Sequence, residues 1–127
     1  MRLAKITALV VALLISFGAG ALTAGIRHWF QPLATVHISN LSGLEVSNLL
    51  LISRTGSIVT TTQLRPLSVG EKLTARFIVS GEGSYQIKAT LSNGVVISGG
   101  AGYVESGYTS TELLHANKIE SRYEYAL

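Results

Sequence analysis

The sequence predicts one membrane-spanning helix followed by an all-β domain, an antiparallel, Ig-like sandwich of about seven strands. Three observations predict it. Residues 6–26 form an apolar run without a charge, apolar and polar residues alternate with period two after residue 33, and Gly- or Asn-containing turn signals interrupt that alternation at short intervals. The composition points the same way, with 47% hydrophobic and only 13% charged residues, against about 25% charged in an ordinary soluble domain. Cysteine is absent and all seven acids are Glu. This excludes a disulfide framework, a zinc–cysteine site and thiol catalysis.

From Ile6 to Ile26 the non-apolar residues are Thr7, Ser16, Gly18, Gly20, Thr23 and Gly25. A bilayer-spanning helix needs about 20 such residues. Arg2 and Lys5 precede the run and Arg27 follows it. The basic excess stays on the cytoplasmic side, which predicts a cytoplasmic segment at 1–5, a spanning helix at 6–26 and everything beyond exported. Trp29 and Phe30 fall where the chain leaves the bilayer, a position that suits amphipathic rings at the membrane interface. A second reading uses the same residues: a basic n-region, an h-region at Ile6–Phe17 and a small-x-small cleavage pattern at Ala19–Gly20–Ala21. It predicts a signal peptide and a secreted domain with a mature start at Leu22. Both readings export the rest of the chain, to the periplasm if the cell is Gram-negative. Gly18, Ala21 and Gly25 share a helical stripe, but such stripes are common in apolar segments.

Residues 27–33 read as a linker, because Pro32 lacks an N–H and turns Gln31 away from helix. The β-domain is expected over 34–127. Its strands are predicted at 34–39, 44–53, 58–64, 72–80, 84–92, 95–104 and 118–125. Asn93–Gly94 signals a two-residue type I′ hairpin, and Gly81–Glu82–Gly83 a three-residue hairpin loop. Thr109–Ser110–Thr111–Glu112 resembles a capping box, which predicts a single helical turn at 111–116 or a loop.

Two stretches break the alternation. Leu49, Leu50, Leu51 and Ile52 are apolar on both faces, as in a covered central strand or in an apolar patch that awaits a partner. Gly99, Gly100 and Gly102 precede Tyr103, and Gly107 precedes Tyr108. Glycine in a strand marks a bulge or the close approach of another backbone, and Tyr is enriched at interfaces. Gly99, Gly100, Gly102, Tyr103, Gly107, Tyr108, Leu49 and Leu51 are therefore the candidate partner-binding residues.

No chemistry of another kind is indicated. The formal charge is +3, but beyond residue 33 seven bases face seven acids. The bases are dispersed there, which argues against nucleic acid. Gly99–Gly102 lacks both a phosphate-loop spacing and a following helix. His28, His37 and His115 lack metal-site spacing, and Ser106, Glu112 and His115 form a triad only if the fold brings them together. No cofactor, metal, catalytic residue or small-molecule substrate is predicted. Asn40–Leu41–Ser42 is a glycosylation sequon set in a turn. The function expected is a membrane-anchored protein whose exported β-sandwich binds or assembles with another membrane or periplasmic protein. The alternative is a secreted inhibitor or immunity-like domain.

Overall fold

The computed structural model describes residues 1–26 and 32–124. The predicted interface residues Trp29 and Phe30, and His28, lie outside the described residues. The chain divides into two units, Met1–Gln31 and Pro32–Leu127.

The first unit holds α1, Arg2–Ile26, of 25 residues. At 1.5 Å per residue it is about 37 Å long, enough for a hydrocarbon core of about 30 Å. Its hydroxyls turn back on its own backbone. Thr7 donates to the Leu3 carbonyl at 3.0 Å, Ser16 to Ala12 at 2.9 Å and Thr23 to Ala19 at 2.9 Å. Polar atoms bonded within the helix need no water, which is what a lipid environment demands. The helix starts at Arg2 and includes residues 2–5 ahead of the apolar run. It is long and apolar enough to cross a membrane or to act as a signal sequence.

The second unit is a two-sheet, sandwich-like domain of eight strands. They are β1 Leu33–Asn40, β2 Val46–Thr55, β3 Ile58–Leu64, β4 Lys72–Ile78, β5 Gly83–Leu91, β6 Val96–Val104, β7 Thr109–Leu114 and β8 Ile119–Glu124. Sheet A has the order β4-β1-β7-β8 and sheet B the order β3-β2-β5-β6. Alternate residues point inward and bury one core, including Val36 and Ile38 from β1, Leu49 and Leu51 from β2, Phe77 from β4, and Tyr85, Ile87, Ala89 and Leu91 from β5. The Phe77 and Tyr85 rings meet at 5.5 Å, tilted by 56°. Burial of that apolar face is the main favourable term for a cysteine-free domain of this size.

The structure corrects four expectations. An eighth strand, β7, replaces the helical turn or loop expected around 111–116. It pairs in parallel with β1, Thr35 opposite Thr109 through Asn40 opposite Leu114, so the sandwich is not wholly antiparallel. Residues 79–82 do not close a hairpin, because β4 lies in sheet A and β5 in sheet B. The β5–β6 hairpin has a three-residue loop, Ser92–Asn93–Gly94: Gly94 N–H bonds the Leu91 carbonyl and Leu91 N–H the Val95 carbonyl, both at 2.8 Å. Gly94 takes the positive φ, 85°, that such a loop requires.

Asn40 secures the end of the domain opposite the site described below. Its buried Nδ2 donates to the carbonyls of Leu44, Leu67 and Ser68 at 2.8, 3.3 and 3.0 Å. Its Oδ1 accepts from the Ser42 N–H and hydroxyl at 3.1 and 2.6 Å. The sequon amide is thus committed inside the folded domain and is not presented as a glycan acceptor. Glu71 orders the adjoining loop by accepting from Ser68 N–H at 2.9 Å and from Arg65 at 2.5 Å. Those bonds, the Ser68 one foremost, hold its carboxyl below the ordinary range.

Candidate functional site

The Gly-Tyr segment lies on β6 and in the turn that leads to β7. Along β6, Ile97 and Ala101 are buried and Val96 and Ser98 exposed, as alternation requires. The register then slips. Tyr85 faces Ala101 and Gly83 faces Val104, so two residues of β5 span three of β6. The extra residue is a β-bulge at Gly102–Tyr103, which leaves both outward-facing and Tyr103 54% exposed.

The glycines before the bulge serve internal packing. A Cβ on Gly99 would lie 2.7 Å from Cβ of Ile119, so this position receives β8 across the gap between the sheets. A Cβ on Gly100 would lie 2.2 Å from the Tyr85 carbonyl oxygen, and its φ is +143°. The close backbone approach expected from these glycines is real, but it comes from within the chain. Leu49 and Leu51 require a firmer correction. They are 0% and 1% exposed and belong to the core, so no partner can reach them. Leu50 and Ile52 project to the other face of sheet B, half-buried beside Lys88 and Gln86 of β5. The run is apolar on both sides, but only its Leu49 and Leu51 side is buried in the core.

The remaining four candidates come together. Tyr108 N–H bonds the Glu105 carbonyl at 3.1 Å and closes a turn. Its third residue, Gly107, has φ +84°, a value costly for any side chain with a Cβ. The turn is fixed to β1, since Gly107 N–H bonds Leu33 O and Thr35 N–H bonds Tyr108 O, both at 2.8 Å. Tyr108 is half-buried against the core, and its ring meets that of Tyr123 at 6.0 Å. Gly102, Tyr103, Gly107 and Tyr108, with Glu105, Ser106, Tyr123 and Glu124, line a cleft of about 560 Å³. It opens at the end of the sandwich where the chain enters at Pro32. Gly99 and Gly100 border a shallower depression of about 480 Å³ on the outer face of sheet B.

The cleft is aromatic and acidic. The Tyr103 hydroxyl donates to Glu105, and that bond pushes the phenol up to about 12, with burial and the charges of Glu105 and Glu82 adding to the effect. Among the described residues the lining contains no Lys or Arg. Behind it lies a polar cluster that the sequence did not signal. Tyr85 donates to buried Glu112, Ser110 Oγ lies 2.6 Å from the Tyr85 hydroxyl, and Ser121 donates to the other Glu112 oxygen at 2.7 Å. The phenolic proton is used on Glu112, so Ser110 supplies its own. Burial raises the Glu112 carboxyl above its ordinary range, although the Tyr85 and Ser121 bonds oppose it. Burial likewise pushes the Tyr85 phenol up. The cluster joins sheet B to sheet A and does not open into the cleft.

Ser106, Glu112 and His115 are not brought together. Ser106 precedes β7, His115 follows it, and Glu112 bonds elsewhere. His115 lies 3.3 Å from Glu120, and His37 2.9 Å from the Thr74 hydroxyl. Among the described residues no group of three His or Glu side chains could hold a metal ion.

No family model and no curated protein matches this chain. Among solved structures, a protein from Eubacterium rectale studied by NMR is similar in fold, with a TM-score of 0.50 at 11% identity over 74% of this chain and 90% of the other. This likeness concerns the β-sandwich architecture alone.

Proposed function

We propose that this protein is a single-pass, membrane-anchored module whose exported Ig-like β-sandwich binds another membrane or periplasmic protein through the Gly-Tyr cleft. The observation that carries the proposal is the convergence of Gly102, Tyr103, Gly107 and Tyr108 on one cleft rimmed by carboxylates. Rigid aromatic side chains in a concave site are the usual anchors of a protein interface. A Tyr-rich lining with Glu105 and Glu124, and no cation among the described residues, suits a partner that offers Lys or Arg over the ring faces. The apolar, internally satisfied α1 supports the anchor. The basic residues Arg2 and Lys5 at its start, ahead of the apolar run, favour an exported domain. A cleaved, secreted form uses the same cleft, and a mature start at Leu22 would identify it.

The test uses Tyr103→Ala and Glu105→Lys. Both positions are exposed, and Tyr108 is avoided because its ring packs on the core. Each variant should lose at least about 1–2 kcal/mol of partner affinity and unfold at the wild-type temperature. Undiminished binding by both variants would remove the cleft from the proposal.

A further inference from the structure

Each sheet ends in two edge strands, and three of the four edges carry a device that blocks further pairing. β4 bears Lys72 and Arg76, β8 bears Glu120, Arg122 and Glu124, and β6 is glycine-rich and bulged at Gly102–Tyr103. Charges and bulges are how native edges avoid pairing with other chains. β3 has neither. Ile58–Leu64 contains no charge, no glycine and no proline. Its register against β2 runs unbroken from Leu49 opposite Leu64 to Thr55 opposite Ile58. Every residue from Ile58 to Gln63 is exposed.

The two sides of β3 differ. Leu64 lies opposite buried Leu49 and Thr62 opposite buried Leu51, so the even-numbered residues continue the core-facing side of sheet B. Ile58 is on that side and yet is 68% exposed. The edge therefore offers a free row of backbone donors and acceptors together with an uncovered apolar side chain.

We infer that β3 is a self-association edge, on which a second copy of this chain pairs β3 to β3, antiparallel, about a two-fold axis at Thr61. This register places Thr60 opposite Thr62, Val59 opposite Gln63, and Ile58 of each copy opposite Leu64 of the other. No like charges meet, both exposed Ile58 side chains gain an apolar neighbour, and the same surface is used on both copies, as a closed two-fold dimer requires. The two sheets B become one continuous sheet, joined by main-chain bonds. The inference is independent of the cleft.

The full chain in detergent micelles tests it. The native sequence has no cysteine, so a Thr61→Cys variant reports on this register alone. Residues directly opposite in an antiparallel pair lie about 4.5–5.5 Å apart, within disulfide reach. Thr61→Cys should cross-link to a dimer under mild oxidation, and Ser98→Cys on exposed β6 should not. Thr61→Lys sets two ammonium groups opposite one another on the axis. It should raise the concentration of half-dimerisation about tenfold or more, since like charges set opposite one another across an interface cost several kcal/mol, with unchanged unfolding, whereas Tyr103→Ala should leave dimerisation intact. A wild-type chain that stays monomeric at about 100 μM, a dimer that persists in Thr61→Lys, or equal cross-linking at Thr61→Cys and Ser98→Cys would overturn the inference.

Discussion

At the scale of single residues, glycine separates packing from recognition. Gly99 and Gly100 are filled from within by Ile119 and by the Tyr85 backbone, whereas a Cβ on Gly102 meets nothing within 4 Å. Gly100→Ala should therefore destabilise the domain by about 1–3 kcal/mol or prevent its folding. Gly102→Ala should stay within about 0.5 kcal/mol of wild type. Thermal unfolding of the two variants side by side checks this. The Tyr103–Glu105 pair gives a second prediction. A carboxylate that accepts the phenolic proton opposes its loss, so Glu105→Gln should bring Tyr103 from about 12 back toward the ordinary 10.0, as read by ring NMR shifts over an alkaline titration. Glu112 gives a third. Its folded-state value is raised above the ordinary 4.5, so its contribution to stability is fully present below about pH 4.5 and is lost as pH rises through the raised value. Glu112→Gln still accepts from Tyr85 but carries no charge. Its stability should fall less from pH 4 to pH 8 than that of the wild type, and the variant should gain on the order of 1 kcal/mol relative to wild type over that interval. Denaturant midpoints at the two pH values decide it.

At the scale of elements, legibility followed the chemistry of the inward positions. β1 and β5 place Val, Ile, Leu, Ala or Tyr inward, and the alternation showed in the sequence. β7 places Ser110, Glu112 and Leu114 inward, all buried. Two of its three core positions are polar, so hydrophobic period-two patterning is absent, and Thr109–Glu112 imitates a helix start. Only the partners Tyr85 and Ser121, distant in sequence, make a buried Glu acceptable there. The parallel β1–β7 pairing was hidden for a related reason, since local turn signals report hairpins and not long-range pairs. Glycine announced close backbone approach but not whose backbone, and only the fold assigns Gly100 to Tyr85. The cleft was legible as a list of Tyr and Gly residues. Tyr123, from the far end of the sequence, was not.

At the scale of the whole molecule, the composition separates into two parts with different tasks. Arg2, Lys5 and Arg27 carry the positive excess and flank the apolar run of residues 6–26. The β-domain is charge-balanced and holds together without a cysteine. Its residues are distributed between a core that includes Leu49 and Leu51 and a cleft at the Pro32 end, where the Tyr103 ring is exposed. We propose that this cleft, on a membrane-anchored chain, is where a partner binds. A photo-crosslinking amino acid at position 103 of the full chain, irradiated in producing cells and recovered from the membrane fraction, tests it most directly. One dominant covalent adduct with another membrane or periplasmic protein is expected, on a chain that retains its α1 sequence, with no such adduct from the same probe at exposed Arg76 on β4. An equal pattern of adducts from positions 103 and 76, or none from 103, would contradict it.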